Sequence, residues 1–215
     1  MAVRRLGRVG YDEALEMQRV LVEERRAARI GDTLLLLEHP PIITLGVRSR
    51  GASPHVLAGP DALAAAGVTL RESGRGGDVT FHGPGQLVGY PIFDLRPGRC
   101  DVHRYVRDIE AALMKAMEEF GIEGRRVQGH TGVWAGPDGQ EEKLAAIGVR
   151  ISRWITSHGF ALNVSVDLKY FQLIVPCGIA DRGVTSMAKV LGRPVAMDDV
   201  EDAVVRGFEN VFGTG

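Results

Sequence analysis

Cysteine is scarce: the 215-residue chain holds two, Cys100 and Cys177. That is too few for a disulfide framework, and a single bridge would be unusual in a reducing compartment, so each thiol needs its own explanation. Long apolar runs are missing as well. The strongest, Leu34 to Leu37, is stopped by Glu38, His39 and two prolines, far short of the roughly 18 residues of a membrane helix. Arg4 and Arg5 are followed by Gly7, Arg8, Asp12 and Glu13, where a signal peptide would be apolar. A cytoplasmic chain with no membrane contact is expected, which leaves the sequon Asn163-Val164-Ser165 without meaning. Excess charge of one sign is also absent: 26 Lys+Arg against 27 Asp+Glu give a net charge of -1, and no nucleic-acid partner is expected. No Gly-Lys pair exists, so there is no P-loop. Gly-x-Ser-x-Gly, His-Glu-x-x-His and Cys-x-x-Cys are missing too, which removes the usual support for an NTPase, a serine hydrolase or a metal site. Lysine itself is rare, 4 against 22 arginines, so each one carries more weight.

What is present reads as one ordinary domain. Hydrophobic residues at 45% and charged ones at 25% argue against disorder, and a chain of this length buries about 70% of its unfolded surface. Helical spacing predicts a first helix over Asp12 to Ala28 with Gly31 as its cap. Thr33 to Leu37 and Ile42 to Leu45 read as buried strands, or as one strand broken at a corner. A short helix is expected over Asp61 to Ala66, then a strand over Val68 to Arg71. The best helix is Asp101 to Phe120, capped by Asp101 and stopped by Gly121. Thr131 to Ala135 and Leu144 to Arg150 flank Gly136-Pro137-Asp138-Gly139 as a hairpin, with strands continuing through Ile155 and Phe160 to Val166. Asp198 to Phe212 is again helical. Hairpin-like strand groups with helices between them predict an α+β (α/β) domain, a mixed β-sheet flanked by helices. It spans residues 1–215 as one catalytic unit, with room for a small C-terminal subdomain from about Asp167.

Three features carry chemistry. Gly74-Arg75-Gly76-Gly77-Asp78-Val79-Thr80-Phe81-His82-Gly83-Pro84-Gly85-Gln86 places five glycines in thirteen residues, a composition that lets backbone approach a ligand. Cys177, between Pro176 and Gly178, suits an accessible nucleophile. Cys100, with Arg99 beside it and a helix starting at Asp101, has comparable credentials, and a lone cysteine is often only a small buried hydrophobe. Local chemistry leaves the two thiols equal. Lys143 opens a strand whose two-residue period places it with Ala145, Ile147, Val149 and Ile151 on an apolar face, so its ammonium is a candidate for partial burial. His158-Gly159-Phe160 offers a second histidine beside a glycine.

In order and spacing, Arg75 to Leu87, Lys143 to Arg150, His158 to Val164 and Pro176-Cys177-Gly178 resemble the lipoyl/octanoyl transferases of the lipoate pathway. The resemblance covers about Tyr11 to Ala188. It implies a biotin/lipoate protein ligase-like fold, with Cys177 as the acyl-thioester nucleophile and Lys143 as the lysine that lowers the thiol pKa. By the same resemblance the substrate-binding residues are Arg75, Gly76, Gly77, Asp78, Val79, Thr80, Phe81 and His82, then Ala146, Ile147 and Gly148, then Gly159, Phe160 and Ala161. His158 is an auxiliary candidate, and Cys100 matches no motif.

The implied reaction moves an octanoyl group from octanoyl-acyl carrier protein to a lysine of a lipoyl domain, on 2-oxoacid dehydrogenase E2 subunits or the glycine cleavage H protein. It needs no cofactor, no metal and no ATP. Val79, Phe81, Leu144, Ile147 and Phe160 are candidates to line the acyl tunnel, and Arg96, Arg99, Arg104 and Arg107 read equally as a surface for an acidic carrier or as a solvated helix start. The sequence departs from the family pattern at Gln128-Gly129-His130 and at Phe81. Competing readings are an ATP-dependent lipoate or biotin ligase, a non-catalytic acyl-binding module and a thioester hydrolase.

Overall fold

The computed structural model describes residues 1–49, 55–175 and 182–213. The chain opens with strand β1 (Ala2–Arg8), helix α1 (Tyr11–Arg26), β2 (Thr33–Glu38), β3 (Ile42–Leu45), α2 (Pro60–Ala65), β4 (Thr69–Glu72), β5 (Val79–His82) and β6 (Gln86–Ile92). It continues through α3 (Val102–Glu118), β7 (Arg125–Val127), β8 (His130–Ala135), β9 (Glu142–Ser152), β10 (Ile155–Asn163), a 3₁₀ turn at Leu168–Leu173, α4 (Met187–Leu191) and α5 (Met197–Phe212). Among the described residues the strands form two sheets, one in the order β1-β2-β6-β10-β9-β8-β7 and one in the order β4-β3-β5. β1 lies parallel to β2 and β4 parallel to β3; the other pairs are antiparallel. This is the mixed sheet with helices that the patterning predicts.

The leucine run has no alternation because both faces of β2 are covered. Leu34 and Leu36 join α3 and α5, while Leu35 and Leu37 join α1. β2 and β3 prove to be strands of different sheets, separated at Pro40-Pro41. Helix α3 begins where Asp101 accepts a hydrogen bond from the Arg104 amide at 3.0 Å, satisfying one of the orphan donors of a helix start. Tyr105, Ile109, Leu113 and Met117 are buried from its inner face, each worth roughly 1.5–3 kcal/mol. Val200, Val204 and Phe208 of α5 lie in the same cluster, so the C-terminal helix completes the main core. Helix α1 ends earlier than expected: Ala28, not Gly31, takes the left-handed conformation, at φ 55°. Where β6 crosses β10, Gly89 faces Phe160, and a Cβ there would overlap the ring. No helix of the described residues is long and apolar enough to cross a membrane.

Candidate active site

The small sheet stands over the middle of the large one, and between them lies a cleft of about 310 Å³, within the size range of small-ligand sites. One wall is strand β9 with Ala146, Ile147 and Gly148. Another is β10 with His158, Gly159, Phe160 and Ala161. Arg75, Gly77, Asp78, Thr80 and His82 close it from the glycine run, and Lys143 stands at one end beside Gly129, His130 and Thr131.

Lys143 does not share a face with Ala145, Val149 and Ile151. The pairing of β8 with β9 slips between Val133, opposite Ala145, and Trp134, opposite Lys143. The extra residue, Leu144, inverts the alternation at that point. Ala145, Val149 and Ile151 therefore pack under the helices, while Lys143 lines the cleft with Ala146 and Gly148. Its side chain is 5% exposed. The ammonium lies 4.8 Å from the Trp134 ring centroid, a cation–π contact, and among the described residues no carboxylate pairs with it. Its main chain is fixed as well: the amide donates to Gly183 O at 2.9 Å, and the carbonyl accepts from the Thr185 amide at 3.0 Å.

Arg75 crosses from the glycine run onto β3, donating from Nε and Nη2 to Thr44 Oγ1 at 3.1 and 2.9 Å and from Nη2 to Thr44 O at 2.6 Å. Gly76 bonds its amide to Val149 O at 2.9 Å, docking the run on β9. Asp78 accepts from Ser49, from the Val79 amide at 2.8 Å, and faces His55 Nδ1 at 2.6 Å. Burial alone would raise its carboxyl, but these donors together hold it below the ordinary value,. Burial, with His39, Arg75 and His158 close enough to disfavour a further positive charge, holds His82 well below the usual imidazole value. His158, depressed by burial and by Arg75 and Arg150, falls to about 4. Both rings are neutral at pH 7.

Val79 and Phe81 point away from the cleft into the core of the small sheet, where Phe81 stacks on Tyr170 at 4.6 Å. Leu144 is buried under the helices. Of the five candidates to line an acyl tunnel, only Ile147 and Phe160 do. Cys177 lies outside the described residues; the chain re-enters them at Arg182, just before the stretch that pairs with Lys143. Cys100 is an exposed free thiol. Of the four arginines around the start of α3, three pair with neighbouring carboxylates and one bonds a carbonyl. Arg96 pairs with Asp94, Arg99 with Asp108 and Arg107 with Glu110, and Arg104 donates to Gly98 O. The described residues hold no cluster of three His, Cys, Asp or Glu that could bind a metal.

The cleft also includes Tyr11, Arg48 and Tyr90, which the motifs did not single out. Tyr11 belongs to the first helix and Tyr90 to a β6 face shared with Val88 and Ile92, so only tertiary packing brings them here. Gly129 and His130, the departure from the family pattern, sit on the rim.

Residues 10–209 match the model of the lipoyl protein ligase A/B catalytic domain. The chain is 55% identical to the octanoyltransferase of Acidobacterium capsulatum, over 97% of this chain and 88% of that one. It is 50% identical to the octanoyltransferase of Chloroflexus aggregans, over 99% and 95%. Among solved structures it superposes on a bipartite lipoate protein ligase from Thermoplasma acidophilum with a TM-score of 0.72 at 17% identity, covering 99% and 84% of the two chains. A biotin protein ligase from Aquifex aeolicus shares the fold at a TM-score of 0.56 and 14% identity, covering 99% and 69%.

Proposed function

The chain belongs to the lipoyl protein ligase A/B catalytic-domain family, and from that premise we propose that it is an octanoyltransferase of protein lipoylation. It takes its acyl group from octanoyl-acyl carrier protein and delivers it to a lysine of a lipoyl domain. The carrying observation is Lys143, a buried ammonium without a carboxylate partner among the described residues, at one end of a cleft walled by Ile147, Phe160 and Ala161. A cation kept in such a place favours an anion beside it. We assign that anion to the thiolate of Cys177, the cysteine set between Pro176 and Gly178, a reading that the half-identical octanoyltransferase relatives support.

In the first step the Cys177 sulfur attacks the carrier thioester. A new S–C bond forms, the carrier S–C bond breaks, and the departing carrier sulfur takes a proton from Lys143. One thioester replaces another at little free-energy cost. In the second step the acceptor amine attacks, its N–C bond forms, and Cys177 leaves as thiolate. The proton lost by the amine returns to Lys143, and the product is the more stable amide. The apolar wall takes the alkyl chain and excludes water, which keeps hydrolysis from competing. Arg75 adds positive charge along the cleft for the carbonyl oxygen as it becomes anionic.

The test is the pH profile of iodoacetamide alkylation in a Cys100→Ser background. Lys143→Met should raise the apparent pKa of the remaining thiol by about one to two units, as the loss of a neighbouring opposite charge does. An unmoved profile would overturn the role of Lys143. A second reading follows from the fold, which the chain shares with a lipoate-protein ligase A solved with ATP bound. Modification of a lipoyl domain that requires ATP and free octanoate would select it.

A further inference from the structure

Behind the cleft a chain of buried polar side chains ties Arg75 and His82 to Thr44, Gln86 and Asn163, three residues to which the mechanism gives no role. Asn163 Nδ2 donates to Thr185 O at 2.9 Å. Gln86 Nε2 donates to Asn163 Oδ1 at 2.9 Å and to Phe81 O at 3.1 Å. Gln86 Oε1 lies 2.8 Å from His82 Nδ1, and His82 Nε2 lies 3.3 Å from Thr44 Oγ1. Thr44 Oγ1 in turn receives Nε and Nη2 of Arg75. Thr44, Gln86 and Asn163 are each less than 5% exposed.

The direction of every bond is forced. Side-chain amides are ambiguous in isolation, but Thr185 O and Phe81 O are carbonyls and can only accept. Asn163 must therefore turn its NH₂ to Thr185, leaving its oxygen for Gln86. Gln86 must turn its NH₂ to Asn163 and Phe81, leaving its oxygen for His82. His82 Nδ1 must then carry the hydrogen. Thr44 Oγ1 already accepts from Nε and Nη2 of Arg75, which fills its two lone pairs, so its hydroxyl donates to a bare His82 Nε2. Thr185 bonds the Lys143 carbonyl through its amide, so the chain links the Lys143 end of the cleft to the Arg75 end.

We propose that Thr44, Gln86 and Asn163 are positioning residues of the acyl-transfer site, aiming Arg75 along the cleft through a neutral, Nδ1-protonated His82. This inference rests on the acyl-transfer reading above. It makes His82 a pivot and not a proton carrier, because both ring nitrogens are engaged away from the substrate. The groups around the ring fit a neutral imidazole. Arg75 is positive, His39 and His158 are buried, Tyr11 stacks at 6.3 Å, and Tyr90 is a neutral phenol bonded to His39 at 2.8 Å.

Two measurements test it. In ¹⁵N-histidine NMR of the full chain, with His82 assigned by its loss in His82→Asn, Nδ1 should be protonated and Nε2 bare from pH 5.5 to 8. A protonated Nε2, or a ring that titrates within that range, overturns the inference. In octanoyl transfer, Thr44→Val keeps the shape but removes the hydroxyl, and Thr44→Ser restores it. Leaving Arg75 and His82 each short of a buried partner should lower kcat/KM about 10- to 100-fold, mostly through KM for the octanoyl carrier, with the serine variant within about threefold of wild type. Valine and serine variants that behave alike would overturn it. The NMR arm uses the unaltered protein and no turnover. A wild type that transfers no octanoyl group therefore defeats the acyl-transfer reading while the tautomer still decides the hydrogen-bond chain.

Discussion

Replacing Gly148 by alanine probes the joint between the glycine run and the large sheet. A Cβ on Gly148 would stand 2.7 Å from Gly76 O and 3.3 Å from Arg75 Cδ, closer than carbon atoms settle. The backbone itself accepts alanine, since Gly148 is not among the positive-φ glycines. The cost is therefore purely steric, and the yielding part must be the run carrying Gly76, whose amide holds Val149 O at 2.9 Å. Overpacking of this kind costs about 2 kcal/mol, which for a chain of this size lowers Tm by roughly 4–8 °C. Because Arg75 moves with Gly76, kcat/KM for octanoyl transfer should fall more than stability alone explains, by about tenfold or more. Gly31→Ala is the control: nothing lies within 4 Å of its Cβ, so Tm should hold or rise slightly. Scanning fluorimetry and a carrier-to-lipoyl-domain assay read both quantities. A Gly148→Ala protein with wild-type Tm and wild-type transfer would refute the steric reasoning.

Lys143→Met should leave Tm within about 3 °C, because loss of the contact over Trp134 is offset by relief of a buried charge, while transfer falls about 100-fold or more; a variant that unfolds, or that keeps its rate, contradicts this. Glu110 is fully buried and accepts from the Gly132 amide at 3.0 Å as well as from Arg107 and Arg126. Glu110→Gln should cost about 2 kcal/mol in urea denaturation, below the usual figure for a broken buried pair because both arginines are half exposed. Stability should also fall with acid. His158, held near pKa 4 when folded, stays neutral while the unfolded chain takes up a proton below about pH 6.5, so stability is fully present above that pH and drains by up to about 3 kcal/mol towards pH 4. His158→Gln should shrink that drop in urea unfolding at pH 7 and 4.5, and an equal drop in both proteins would count against it.

Much of this was legible from local signals. Helix α3 was readable because Asp101, the apolar spacing and Gly121 all agree, and the β8–β9 hairpin because Gly136-Pro137-Asp138-Gly139 can do little else. Strand β1 was not, since Arg4, Arg5 and Arg8 lie on an edge strand where charge is tolerated and no alternation shows. β5 and the start of β6 were hidden in the glycine run, whose composition suggests loop, although β5 pairs with β3 and β6 with both β2 and β10. The turn joining β9 to β10 has Arg153 at φ 51° and Trp154 at φ 66°, a left-handed pair formed without the glycine or asparagine that usually marks one. The motifs identified the cleft, but a strict period of two misjudged Lys143, because one bulged residue at Leu144 turns it to the other face. Tyr11, Thr44 and Tyr90 left no local signal; they reach the site only through the pairing of distant strands.

The central claim is thioester-to-amide octanoyl transfer through Cys177. Its most direct test is intact-mass spectrometry of a purified lipoyl domain incubated with octanoyl-acyl carrier protein and this enzyme, without ATP, beside a Cys177→Ser control. The account predicts a gain of one octanoyl group on the lipoyl domain and a thioester adduct on the enzyme, both lost in the control. A lipoyl domain left unmodified until ATP and free octanoate are added, or modified equally by the serine variant, would contradict it.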